Sequence, residues 1–378
     1  MKRFSILLAV LLLLPLVSVS AEIEDWVADI NGISAKVLEW CMQEHQKELT
    51  LELPKSAAVG MSDDDIWHAV WDALDEYCRD DYEVRWSRTS DGGLRVRLGN
   101  ISLRPGLLMA EAYWAGDTGR LSPDEKKCLK QLTGITDKMV KQYGYATVDT
   151  ELAIYDYICD HVTYRTYPKS DSRHNRCTSA ANAFLYGWGN CQAYSDLFFL
   201  MTMMTGFDSG YISGLGNGGA HLWNTISIGG ELVMVDVTYG DTEITKNPVQ
   251  QTHYYFNFGR DRLGKHTWSP AVFDTSALAR KTNDKYSFYS NKNSRFGATA
   301  STAAEAAKYC VNQVGKGRKH LEVLIKGKTC DGKALESAME NRLKNYRGKW
   351  SYNYHFDQVD GNTVFRVNWI LFKGKKVK

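Results

Sequence analysis

Residues 189–206 read GNCQAYSDLFFLMTMMTG, and how this stretch folds decides what the middle of the chain is. Asn190 stands where a helix N-cap belongs, and Gly206 closes the apolar run from Leu197 to Met204. Apolar density on nearly every side predicts a helix buried all round. Cys191 then falls in the first turn, where unpaired backbone N–H groups and the helix dipole favour a negative charge. A cysteine attacks as its thiolate, and that position lowers the cost of forming one. Gly187 and Gly189 keep side chains away from the sulfur, and the same N–H groups suit an oxyanion. Cys191 is therefore the candidate nucleophile, with Trp188 and Gln192 beside it as candidate substrate-side residues.

A cysteine nucleophile needs a base, and the base needs an orienting acid. Residues 220–239, AHLWNTISIGGELVMVDVTY, read as two strands joined by a two-residue Gly229-Gly230 turn. That turn sets the register and puts Trp223 opposite Asp236. His221 lies two places from Trp223, so it shares that face and is the diagonal neighbour of Asp236. A carboxylate beside a histidine fixes its tautomer and supports its protonated form. His221 is the candidate base and Asp236 the candidate acid. Trp223 and Asn224 are candidate substrate-side or orienting neighbours.

Around this pair the chain reads as helices followed by strands. TVDTELAIYDYICDHVTY (147–164) opens at a Thr/Asp cap and carries apolar residues at helical spacing through Ile154 and Ile158. A polar loop over 165–177 and a short helix ending at Gly187 lead to Cys191. Short strands follow at GYIS (210–213), 220–228, 231–239 and HYYFNF (253–258), and GLGNGG (214–219) reads as a mobile rim beside His221. A helix-rich half followed by an antiparallel sheet is an α+β domain, expected over 111–290.

The two ends resemble each other. At an offset of 269 residues Cys41 falls on Cys310, and the stripe Ile66, Val70, Leu74, Tyr77 falls on Leu335, Met339, Leu343, Tyr346. The turns DGG (91–93) and DGN (360–362) coincide as well, whereas LTLEL (49–53) and LEVLI (321–325) match only after a two-residue shift. Each copy predicts helix, strand, helix and an Asp-Gly hairpin, which makes two small α+β modules at 22–110 and 291–378.

With 46 Lys and Arg against 44 Asp and Glu, the net charge is +2 with both signs interspersed, which argues against a nucleic-acid partner. Residues 1–21 carry two cations, an apolar run and small residues ending at Ala21, the layout of a secretory signal peptide. A secreted or periplasmic protein with no integral membrane segment after cleavage is expected. Export permits disulfides, and among the eight cysteines Cys159 with Cys177 and Cys310 with Cys330 are close enough in the chain to be candidate pairs. HNRC (174–177), with Cys159 and His161 nearby, lacks the second close pair that zinc requires, so no metal and no cofactor are expected.

GNCQAYSD, HLWN and VMVDVTYGD, taken in order, resemble the transglutaminase-like superfamily of cysteine enzymes, which share a papain-like core. The resemblance covers about residues 150–285, and YDYICDHVTY (155–164) is similar to the helix preceding the core in bacterial secreted members. It implies a helix-initial cysteine packed on an antiparallel sheet, with Cys191 as nucleophile, His221 as base and Asp236 as orienting acid. Ala193, Leu222 and Tyr239 stand where glycine, alanine and tryptophan are common. Gln192 replaces the tryptophan of the calcium-dependent animal enzymes, which points away from protein cross-linking and towards a peptidase-like relative. The implied function is an exported enzyme that cleaves or transfers acyl groups at amide bonds through a thioester, with hydrolysis favoured. Its partners would be peptide or protein substrates, cell-wall peptides among them. The paired end modules motivate the alternative, a non-catalytic binding or scaffold protein of the envelope or extracellular space.

Overall fold

The structure is a computed structural model and describes residues 25–26, 48–63, 65–66, 70, 74, 83–100, 102–241, 252–268, 278, 286–289 and 297–377. The expected export signal (1–21), Cys41, Tyr77 and Cys78 lie outside the described residues. The chain divides into two compact units, Met1–Arg104 and Pro105–Lys378. Among the described residues no helix is long and apolar enough to cross a membrane.

The first unit contains β1 (Asp25–Trp26), β2 (Glu48–Leu53), α1 (Lys55–Ala58), β3 (Glu83–Arg88) and β4 (Leu94–Gly99). Strand order is β1-β2-β4-β3, with β1 parallel to β2 and the other pairs antiparallel. Leu49, Leu51, Leu53, Leu94, Val96 and Leu98 alternate onto one buried face. Ile66, Val70 and Leu74 are helical and wholly buried, as their spacing predicts.

The second unit opens with α2 (Pro105–Ala115), α3 (Pro123–Tyr143), α4 (Val148–His161), β5 (Thr163–Tyr164), α5 (His174–Cys177), α6 (Ala180–Tyr186), β6 (Trp188–Gly189) and α7 (Cys191–Met204). Next come β7 (Asp208–Gly216), β8 (Gly219–Ile228), β9 (Glu231–Val235), α8 (Val237–Gly240) and β10 (His266–Thr267). Helix α7 is the core element: every residue except Gln192 and Met203 is buried. Each buried Leu or Phe contributes about 1.5–3 kcal/mol, so packing rather than propensity holds the helix. It also holds α2, whose Gly106 N donates to Asp196 (2.8 Å), while Tyr211 Oη donates to the other oxygen of the same carboxylate (2.7 Å). A Cβ at Gly106 would lie 2.5 Å from the Asp196 carbonyl oxygen, so only glycine fits there.

The sheet runs β10-β7-β8-β9, antiparallel throughout. The Gly229-Gly230 turn gives the expected register, from Ile228 opposite Glu231 to Asn224 opposite Val235. Three expectations need correction. Strand β9 stops at Val235, because Asp236 caps α8 by accepting a hydrogen bond from Tyr239 N (2.9 Å). GLGNGG is no mobile rim: Asn217 and Gly218 take φ of 54° and 82° and close a tight β7–β8 hairpin with Gly216 opposite Gly219. HYYFNF is not a strand, for only Phe258 bridges to Met234. The Arg262 guanidinium donates to the Tyr254 and Asn257 carbonyls (3.1 and 3.3 Å), satisfying oxygens that a strand would have paired.

The remaining elements are β11 (Ala298–Ala300), α9 (Ala303–Val314), β12 (His320–Ile325), α10 (Gly332–Leu343), β13 (Ser351–Val359), β14 (Asn362–Phe372) and β15 (Lys375–Lys376). Their order, β11-β12-β14-β13, and pairing senses repeat those of the first unit, with β15 added beside β14. Leu51 pairs with Val96 and Val323 with Phe365. Val96 and Phe365 stand 269 residues apart but Leu51 and Val323 stand 272 apart, so the first strand is shifted by three residues rather than the expected two. Leu335, Met339 and Leu343 are buried together with Cys310. Cys159, Cys310 and Cys330 carry free thiols, so neither candidate disulfide forms. Cys159 Sγ instead meets the Val237 carbonyl (3.8 Å).

His253 fastens this last module to the helical half. Its Nδ1 meets Glu322 (2.7 Å) on β12, its Nε2 meets Asp156 (2.8 Å) on α4, and Phe288 stacks on its ring at 3.8 Å. Burial opposes charge on His253, but Asp156 and Glu322 outweigh it and raise its pKa to about 10. Glu322 also accepts from Thr252 Oγ1 (3.1 Å), His253 N (3.0 Å) and Tyr289 Oη. A raised histidine pKa stabilises the fold fully below the unfolded value of 6.5, and the effect fades as pH rises through about 10. Chemical denaturation should show a His253→Phe variant less stable than the parent at neutral pH, with the gap narrowing towards pH 10. Glu322→Ala, which leaves His253 without a buried partner, should lose about 3–5 kcal/mol.

Candidate active site

The first turn of α7 positions the candidate nucleophile. Asn190 Oδ1 accepts the backbone N–H groups of Gln192 (3.1 Å) and Ala193 (3.4 Å). Those two donors are therefore committed to the cap. The Cys191 N–H has no acceptor among the described residues, which narrows the oxyanion role to that group. Cys191 itself is 8% exposed.

Strand β8 brings the base. Ser195 Oγ donates to the Leu222 carbonyl (2.8 Å), and Asn224 Nδ2 donates to the carbonyls of Ser195 (3.1 Å) and Gly210 (3.1 Å). The strand carrying His221 is thus stitched to the helix carrying Cys191. Asn224, expected on the substrate side, is wholly buried as this brace. Trp223, read the same way, is also wholly buried, and its ring shields His221 (centroids 5.7 Å) and packs on Trp268 (5.8 Å). Trp188 and Gln192 are half-buried beside the cysteine, and Tyr167 meets Trp188 edge-on at 5.6 Å.

His221 Nε2 lies 2.7 Å from Asp236 Oδ2. Cys191 is the other group that acts on the ring. Burial works against an imidazolium here, but Asp236 and then Cys191 outweigh it and hold the His221 pKa far above the ordinary imidazole value. Burial likewise works against the Asp236 carboxylate, yet the two histidines facing it hold its pKa below the usual range. The Tyr239 ring stacks on His221 (4.5 Å, 19°). Tyr155 Oη fixes the backbone behind the acid, donating to Thr252 O (2.9 Å) beside Asp236 O (3.4 Å).

The second histidine on Asp236 is His266, whose Nε2 is 2.7 Å from Oδ2. Sequence reasoning missed it, because it lies 30 residues beyond Asp236 on the two-residue strand β10. One signal was available: HTW (266–268) repeats the His-x-Trp spacing of HLW (221–223). His221, Asp236 and His266 are also the group among the described residues whose donor atoms converge within 4.8 Å, close enough to share a cation. Their direct hydrogen-bond spacing of 2.7 Å suits protons instead.

Residues 133–237 match the model of the transglutaminase-like superfamily. This segment is a transglutaminase-like core. It holds Cys191, His221 and Asp236, and it ends before His266. No curated protein matches the chain. Similar solved structures include a candidate cysteine protease of Cytophaga hutchinsonii, 16% identical over 43% of this chain and 67% of that one, with a TM-score of 0.25. A TGase is 11% identical over 55% of each chain, with a TM-score of 0.29. LapG of Legionella pneumophila is 12% identical over 35% of this chain and 70% of its own, with a TM-score of 0.24. Likenesses at that level carry no argument about activity.

The hairpin backbone leaves room for the imidazole of the core only at glycine. A Cβ on Gly216 would lie 2.5 Å from Tyr239 Oη and 2.7 Å from His221 Cδ2. Gly216→Ala should displace the ring and slow iodoacetamide capture of Cys191 by roughly 10²-fold, with little change in circular dichroism.

Proposed function

We propose that the protein is an exported cysteine enzyme acting on amide bonds of peptides or proteins, with Cys191 as nucleophile, His221 as base and then acid, and Asp236 as orienting acid. The observation that carries this reading is the buried hydrogen bond from His221 to Asp236 (2.7 Å), with Cys191 in the first turn of α7 acting on the same imidazole. His221 takes the Cys191 proton, and the thiolate attacks the substrate carbonyl carbon. The Cys191 N–H donates to the oxyanion that forms. His221 then gives its proton to the departing amine, the C–N bond breaks, and a thioester remains. Water, deprotonated by His221, attacks the thioester, and the acid leaves as the sulfur recovers as thiolate. An amine in place of water would give acyl transfer. Hydrolysis is the simpler outcome because water needs no second binding site.

Intact-mass spectrometry after mixing the protein with a panel of peptide substrates tests the scheme. The account expects an acyl adduct on Cys191 and free amine product, with both lost in Cys191→Ala. Asp236→Asn should keep the adduct but form it about 10²–10⁴-fold more slowly. Unchanged turnover in Cys191→Ala would overturn the mechanism, and an inert thiol would leave the scaffold reading.

A further inference from the structure

Asp236 serves two imidazoles, and a base with one orienting acid needs only one. His266 is wholly buried at its side chain, and each of its ring nitrogens faces an oxygen that can only accept. Nδ1 is 2.7 Å from the Leu263 carbonyl and Nε2 is 2.7 Å from Asp236 Oδ2. A carbonyl oxygen and a carboxylate each require a proton from the nitrogen they meet. We propose that His266 is a positioning residue, an imidazolium protonated on both ring nitrogens, that shares Asp236 with His221 and brings the charge-separated site to neutrality.

The charge balance explains why such a group belongs there. In the reactive form Cys191 is negative, His221 positive and Asp236 negative, a net buried charge that a low-dielectric site penalises. A positive His266 cancels it. Asp236, His221 (centroids 5.7 Å), Tyr239 (5.0 Å) and Tyr255 (5.3 Å) are the titratable groups facing the ring, and Trp223 and Phe258 complete its walls. The adjacent Lys265 turns outward, its Nζ bonded to Asn217 Oδ1 (2.7 Å).

The loop bearing His266 is braced independently of the triad. Asn257 Nδ2 donates to Glu151 (2.9 Å) on α4, and Asp360 in the β13–β14 turn accepts from Gly264 N (2.9 Å) and Tyr254 Oη (3.0 Å). The imidazolium is thus held from outside, and Asp236 is fixed by Tyr239 N on Oδ1 and two histidines on Oδ2.

This inference rests on the cysteine-enzyme reading, so its test is read without substrate. In the full chain labelled with ¹⁵N-histidine, the His266 ring, identified by comparison with His266→Gln, should show two N–H groups at neutral pH. A single ring N–H at neutral pH would overturn the proposal. This measurement needs only the parent protein if the variant folds poorly.

The pH dependence of Cys191 alkylation supplies the second readout. His266→Gln keeps a donor for Asp236 but removes the charge. Losing a cation disfavours the thiolate and favours the His221 imidazolium, so both limbs of the profile should move to higher pH, by about 1–2 units. A purely structural role would lower the rate with both limbs in place, and that result would refute the assignment. A parent protein whose Cys191 shows no acid limb would instead sink the cysteine-enzyme reading, whatever the His266 spectrum shows.

Discussion

A carboxylate with no exposed surface cannot stay ionised unless its neighbours donate to it, and Asp236 is such a group. Tyr239 N serves one oxygen and the imidazoles of His221 and His266 serve the other. Its own N–H is bonded to Tyr255 O (3.0 Å). Because it ends β9 and caps α8, the chain direction at this residue and the charge at the site are one constraint. Moving Asp236 would release His221, open the α8 turn and strip His266 of its partner together.

The hydrogen bonds between α7 and β8 give that constraint its reach. Ser195 and Asn224 are side chains of the two elements that carry the proposed nucleophile and base, and they bond each to the other's backbone. The distance between sulfur and imidazole is therefore set by buried polar contacts rather than by a loop. Further out, the hairpin turn at Asp360 bonds to the segment leading into His266, so the C-terminal module takes part in holding the site.

Much of the candidate site was legible because it depends on local rules. A helix cap at Asn190 places Cys191, and a two-residue glycine turn fixes which residues of two strands face each other. Those rules act within a few residues, and sequence shows them directly. His266 and Asn224 depend on contacts across the fold, where β10 pairs with β7 and a strand residue reaches into a helix backbone. No local pattern announces such a contact. HYYFNF misled for the same reason: its apolar spacing suits a strand, but Arg262 satisfies carbonyls that a strand partner would otherwise take. The stripes Ile66–Leu74 and Leu335–Leu343 were readable because helical periodicity alone determines which face is buried.

The central claim is that one thiol is activated and the others are not. Burial pushes the Cys128, Cys159 and Cys310 thiols upward, whereas Cys191 stands beside an imidazolium held by Asp236. Brief iodoacetamide labelling of the native full chain at about pH 6, resolved cysteine by cysteine by mass spectrometry, tests this most directly. The account predicts rapid modification of Cys191 alone, abolished in His221→Ala. Labelling of Cys191 no faster than that of the half-buried Cys330, or labelling that is unchanged in His221→Ala, would contradict it.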